Sequence, residues 1–279
     1  MEMEKIEGQR FDLERALYGS RGVWLKSCAF DGAADGESAL KESCDILVED
    51  TFCNLRYPFW HDRDLTIRNC EMTELCRAAL WYSDRIVIED SRLHGVKALR
   101  ECTDVKIRGC DIVSPEFGWS VQALQMEDGT AGGEYFLLRG SDFSLDNIQF
   151  TGKYSFQYTQ NGRIESCTLH TKDAFWHAKS ITVRNSVIKG EYLAWYSEDL
   201  TFINCKIEGT QPFCYCKNLK LIDCEMTGAD LSFERSEVEA TLTAPIDSIK
   251  NPRAGTIRVP ACRSLIMDDP LAAGVVMVC

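Results

Sequence analysis

A period of 19 residues constrains this chain more than anything else in it. Stepping by 19 from Ile86 gives Val105, Leu124, Phe143, Gly162, Ile181, Leu200, Leu219, Val238 and Ile257, apolar at every step but one. Two residues further along lie Ile88, Ile107, Met126, Leu145, Ile164, Val183, Phe202, Leu221, Ala240 and Val259, all apolar. A spacing of two puts both columns on one face of a strand. Four past the origin come Asp90, Gly109, Asp128, Asn147, Ser166, Asn185, Asn204 and Asp223, residues that tolerate a left-handed bend. One further on stand Ser91, Cys110, Cys167, Ser186, Cys205 and Cys224, then a short second strand, then a glycine column that includes Gly190 and Gly209. A third strand follows. The same phrase occurs upstream at Val23-Leu25, Ile46-Val48 and Leu65-Ile67, with spacings of 23 and 21 in two places.

Three short strands and three turns per repeat describe one coil of a parallel β-helix. Each coil buries its inner side chains only against its neighbours. The expected fold is therefore all-β: a right-handed parallel β-helix of about a dozen rungs in one domain, 1–279. Residues 1–22 form its N-terminal cap, 23–260 the coils and 261–279 a C-terminal cap or tail, whose end, "PLAAGVVMVC", reads as irregular. The unequal faces argue against the regular hexapeptide of left-handed β-helices. "FDLERALY", Phe11 to Tyr18, reads as a short amphipathic helix in the cap.

Fourteen cysteines fit the same picture as small apolar fillers, buried as free thiols. Their spacing lacks the paired Cys-x-x-Cys of zinc or cluster sites, so no metal and no cofactor is expected. A net charge of −12 argues against nucleic acid. The first 20 residues lack an apolar core like that of a secretory signal, and no apolar run reaches membrane-spanning length. A cytoplasmic location and no membrane partner are expected.

The chemistry-bearing residues concentrate in the third strand: "KALRE" 97–101, "EFGWS" 116–120, "YFLLR" 135–139, "YSFQY" 154–158, "DAFWH" 173–177, "YLAWY" 192–196, "QPFCY" 211–215 and "DLSFE" 230–234. Period-2 alternation predicts positions two and four inside and one, three and five outside, with Arg100 and Gln157 as exceptions. The outer face then carries two columns. One contains Glu116, Tyr154, Asp173 and Tyr192; the other contains Arg139, Tyr158, His177, Tyr196 and Tyr215. Lys153, Lys172 and Glu191 sit in the turn just before. Aromatic platforms beside hydrogen-bonding groups suit a sugar. Asp173 and Glu191 on neighbouring rungs suit paired acid and base roles, with Lys172 and Lys153 close enough to bias them. Asp173 and His177, about 13 Å apart along a strand, bracket a ligand rather than bond each other. Candidate catalytic residues are Asp173, His177, Glu191, Glu116, Lys172 and Lys153. Candidate substrate contacts are Tyr154, Tyr158, Trp176, Tyr192, Trp195, Tyr196, Tyr215 and Arg139. Against this stands plain packing, since stacked aromatic rings on strands stabilise without any ligand.

The phrases "GVKALRE", "SPEFGW", "GKYSFQY", "TKDAFWHAKS", "GEYLAWYSEDLT", "GTQPFCYCKNLKL" and "SIKNP" resemble an uncharacterised bacterial family catalogued as a domain of unknown function. That family is grouped with pectin-lyase-like right-handed β-helices. The resemblance covers nearly the whole chain. It implies the fold and supplies no reaction. The wider group includes polysaccharide lyases, with a calcium-binding acidic cluster and an Arg or Lys base, and glycoside hydrolases with closely spaced Asp residues. Neither pattern is present cleanly: Arg139 stands alone, and Asp173 has no Asp on adjacent rungs. Two functions are carried forward: a lyase- or hydrolase-like enzyme acting on an oligo- or polysaccharide at this face, or a non-catalytic glycan-binding or assembly scaffold. Self-association stays open.

Overall fold

The computed structural model describes residues 3–279. They fall into two compact units, the first ending at Phe143 and the second spanning Ser144–Cys279. Each is a stack of parallel coils. In the first unit Asp84–Glu89 pairs in parallel with Arg63–Arg68 on one side and Thr103–Arg108 on the other, with Ile86 opposite Leu65 and Val105. In the second, Gln160–Glu165 pairs with Lys179–Arg184, placing Gly162 opposite Ile181 and Ile164 opposite Val183. Strand, crossover and parallel strand in one sheet wind right-handed, and the fold is a right-handed parallel β-helix in both units. Among the described residues no helix is long and apolar enough to cross a membrane.

The columns read from the sequence become ladders. Ile86, Ile88, Val105, Ile107, Ile181, Val183, Leu200 and Phe202 are all fully buried. The bend column has positive φ throughout, from Asp90 (48°) and Asn147 (52°) to Asn204 (50°). Side-chain amides stitch it together: Asn204 Nδ2 donates to Asn185 Oδ1 at 2.7 Å, and Asn69 Nδ2 to Asp50 Oδ1 at 2.6 Å. In the next column serine and cysteine are interchangeable. Ser186 Oγ donates to the Arg184 carbonyl at 2.6 Å, and Cys205 Sγ to that of Ile203 at 3.3 Å. Eleven of the fourteen cysteines are buried, and all are free thiols. At Gly190 (φ 150°) the turn requires glycine: a Cβ there would stand 1.9 Å from the Thr171 carbonyl oxygen of the coil before.

Three expectations need correcting. Residues 11–18 form no helix: Arg10–Phe11 is a strand and the chain then runs as turns. Arg15 and Leu17 have positive φ, and Arg15 N–H and Gly19 N–H donate across to Glu37 and Lys41 of the next coil. Inter-coil bonds replace the intrahelical ones. Secondly, the step after Val238 is shorter than 19. Ala240, not Val238, lies opposite Ile257, so one turn has lost residues. Thirdly, the tail is not irregular. Val275–Val278 forms another rung, with Ile257 opposite Val276 and Val259 opposite Val278.

Candidate functional site

In the coils from Tyr154 to Tyr215 the third segment is not a β-strand. Positions one, three and five all have positive φ: Asp173 55°, Phe175 59° and His177 57°; Tyr192 58°, Ala194 60° and Tyr196 59°. Position-one and position-five N–H groups point to the following coil, as Asp173 to Glu191 O (3.0 Å) and His177 to Trp195 O (3.0 Å). The position-three N–H points back, as Phe175 to Ser155 O (2.9 Å). These bonds repeat coil after coil and offset the cost of a left-handed non-glycine backbone, about 1–2 kcal/mol per residue. The conformation is thus part of the architecture. It also defeats the period-2 rule, which presumes a uniform extended strand. Positions two and three are both buried, position four is half-buried, and position five faces solvent. Phe156 and Phe175, expected outside, stack in the core at 4.7 Å, as do Phe213 and Phe233 at 5.9 Å. The next rung is displaced by one residue, with positive φ at Leu231, Phe233 and Arg235. Gln211 N–H accordingly donates to Asp230 O. Beyond that rung the segments Ile246–Lys250 and Cys262–Ile266 are parallel strands.

Position four of three successive coils carries a planar group that bonds the next coil, before Cys214 takes the place. Trp176 Nε1 donates to the Tyr192 carbonyl and Trp195 Nε1 to that of Gln211, both at 2.7 Å. Gln157, an exception to the alternation, does the same through Nε2 to the Asp173 carbonyl at 2.9 Å. The other exception, Arg100 in the first unit, lies between Trp81 and Trp119 at 4.7 and 4.8 Å. The Trp176 and Trp195 rings are parallel at 5.4 Å. This column fixes the backbone and does not project free indoles.

Position five is the exposed one. Tyr158, His177, Tyr196 and Tyr215 form a continuous ladder, with ring centroids 4.9, 5.2 and 4.8 Å apart and planes within 12° of parallel. Tyr158 and Tyr196 are half exposed, 51% and 49%. Each ring covers its neighbour's face, so the ladder offers solvent its edges: three phenol hydroxyls and an imidazole edge at the inter-strand period. Trp195 braces it edge-on, 6.3 Å from Tyr196 and 5.7 Å from Tyr215. Tyr215 has its hydroxyl pKa raised, by burial first and then by Glu234 and Tyr196.

The ionisable cluster lies at position one and the turn before it. Lys172 Nζ pairs with Glu191 at 2.8 Å and stands 5.2 Å from the Tyr192 ring. Asp173 is buried, 7% exposed. Burial raises its pKa above the ordinary carboxylate value, Lys172 opposes that shift and Glu191 adds to it. The structure therefore brings Asp173, Lys172, Glu191 and Tyr192 together, with Lys153 beside the Tyr154 ring one coil earlier (5.5 Å). His177 belongs to the ladder. Glu116, paired with Lys97 at 3.4 Å, and exposed Arg139 belong to the first unit. Among the described residues no group of three or more His, Cys, Asp or Glu is placed to hold a metal ion.

Coils of this kind, bearing one aromatic and ionisable outer column, define a parallel β-helix protein with a decorated long face. The chain belongs to the family described as protein of unknown function (DUF3737), whose model matches residues 4–277. No curated protein sequence matches it. Among solved structures it is similar to the A-module of the mannuronan C-5 epimerase AlgE6 of Azotobacter vinelandii, at 12% identity and a TM-score of 0.42 over 98% of this chain and 89% of that one. It is similar also to PfbA, a surface adhesin of Streptococcus pneumoniae, at 6% identity and a TM-score of 0.41 over 93% and 82%. A mutant tailspike protein of E. coli bacteriophage HK620 in complex with a pentasaccharide gives 9% and 0.42 over 94% and 60%. Likeness at this level carries no argument about chemistry.

Proposed function

We propose that the second unit binds a chain-like carbohydrate along the ladder of Tyr158, His177, Tyr196 and Tyr215. The observation that carries the reading is the half-exposed stack itself. Packing alone would be served by burying these rings, as the phenylalanines of position three are buried. Instead, hydrogen-bonding edges recur about every 5 Å, the coil spacing, which suits a ligand that repeats in one direction. Tyrosine offers such contacts at low entropic cost because it has few rotors to freeze. The Lys172–Glu191 pair and Tyr192 extend the polar surface beside the ladder.

Cleavage of that carbohydrate is the second reading, favoured by Asp173. A buried carboxyl with a raised pKa beside a Lys-paired Glu191 is the division of environments that acid and base roles need.

A glycan array followed by calorimetry tests the first reading. Tyr196→Ala should weaken binding of a hit about ten- to a hundredfold, as losing a central aromatic contact does, while the protein stays folded. Absence of any hit, with a dimer that Tyr196→Ala dissociates, would make the ladder a subunit interface instead. Release of new reducing or unsaturated ends, lost in Asp173→Asn, would establish the second reading.

A further inference from the structure

The first unit holds a polar cavity of about 480 Å³, lined by Arg21, Glu42, Ser43, Cys44, Asp45, His61, Arg63, Asp64 and Arg85. One of its carboxylates is ion-paired and the other two keep acceptor capacity. Asp64 takes Arg85 through both oxygens at 2.6 and 2.8 Å. Asp45 accepts the Cys44 thiol at 3.7 Å. Glu42 holds the Tyr18 hydroxyl and raises its pKa. Two cations make no direct ion pair, although Asp64, whose pKa is lowered first by the Arg85 hydrogen bond, is lowered further by the charge of Arg63. Arg21 and Arg63 occupy one column, on either side of Cys44 in the parallel register, and among the described residues neither has a carboxylate within ion-pair distance. Their Cα atoms are two coil spacings apart, about 10 Å, so both guanidinium groups can close on one group between them. The floor is rigid. Ser43 N–H donates to buried Asp62 Oδ1 at 2.9 Å, and Ser43 Oγ accepts Ser20 N–H at 3.1 Å. His61 is held in place by stacking on Tyr82 at 5.1 Å.

We infer that this cavity binds the phosphate group of a small phosphorylated metabolite. A phosphate monoester is a dianion at neutral pH, so two otherwise unpaired guanidiniums match its charge and can grip it through paired N–H bonds. The volume lies in the range of small-molecule sites and exceeds what free phosphate fills. The acidic wall at Glu42 and Asp45 accepts hydroxyls of the organic portion and repels a second anionic group.

Calorimetry on the intact protein at pH 7.5 and low ionic strength tests this, with inorganic phosphate, glucose 6-phosphate, glucuronate and glucose as probes. Glucose 6-phosphate should bind best and inorganic phosphate more weakly. Glucose should give no heat. Arg63→Gln and Arg21→Gln should each lose about ten- to a hundredfold. Arg63→Lys, which keeps the charge without the fork, should lose less, and Arg258→Gln in the second unit should lose nothing. The inference is overturned if neither phosphate binds at millimolar concentration, if Arg63→Gln binds as well as the parent, or if glucuronate binds as tightly as glucose 6-phosphate.

Discussion

Asp62 offers the sharpest quantitative test of the coil. It occupies the column of Ser43 and Ser83, just inside the wall of the first unit, and is fully buried. One carboxyl oxygen accepts the Ser43 N–H, and the other has no partner. Burial pushes its pKa from 3.8 up to about 8, against the smaller opposing effect of the Ser43 N–H. The folded protein therefore holds a proton on Asp62 that the unfolded chain releases above pH 4. Stability must fall as pH rises between those values, because the folded state binds the extra proton. About four pH units at about 1.4 kcal/mol each give a ceiling of about 6 kcal/mol, of which about 4 is already lost at pH 7. Asp62→Asn keeps the shape and the acceptor for Ser43 N–H and does not titrate. It should match the parent near pH 4 and exceed it by about 2–4 kcal/mol at pH 7. Urea unfolding of both proteins at pH 4, 5, 6, 7 and 8, followed by tryptophan fluorescence, gives the two stability curves. A gap that does not change with pH, or an Asn variant weaker than the parent at pH 7, would refute the reasoning.

Gly190→Ala places a methyl against the Thr171 carbonyl in a left-handed backbone, so it should cost more than about 2 kcal/mol in the same urea assay. Phe175→Ala removes a ring stacked between Phe156 and the Phe202 edge and should cost about 3–5 kcal/mol. Glu191→Gln breaks an ion pair whose partners are about half exposed and should cost under about 1 kcal/mol, so a large loss of ligand binding in that variant reports on the site and not on folding. Alkylation with iodoacetamide at pH 8 should label Cys279, Cys262 and Cys44 in the native protein and reach the eleven buried thiols only after denaturation, as mass spectrometry will read. Burial alone pushes Cys76 up to about 12.

The 19-residue period carried the coil into view because stacking forces like residues onto like. Ile86 and Ile88 had to be inward, the Asn/Asp column had to bend left-handed, and cysteine and serine had to share a small buried position. All three are local or nearest-neighbour requirements, written once per repeat. The exposed column was legible too, since Tyr158, His177, Tyr196 and Tyr215 recur at the same offset.

What lay beyond the sequence was the backbone of the third segment. Alternating positive φ there has no residue signature: aspartate, tyrosine, phenylalanine, alanine and histidine all adopt it, because inter-coil hydrogen bonds impose it from outside. The inside and outside of Phe175 and Trp176 followed from that geometry alone. The same holds for the cavity at Arg21 and Arg63, whose common column is hidden by the 23-residue spacing between Val23 and Ile46. Repetition along the chain fixes which residues stack. Only the folded backbone decides which way each one faces, and which charges are left without a partner.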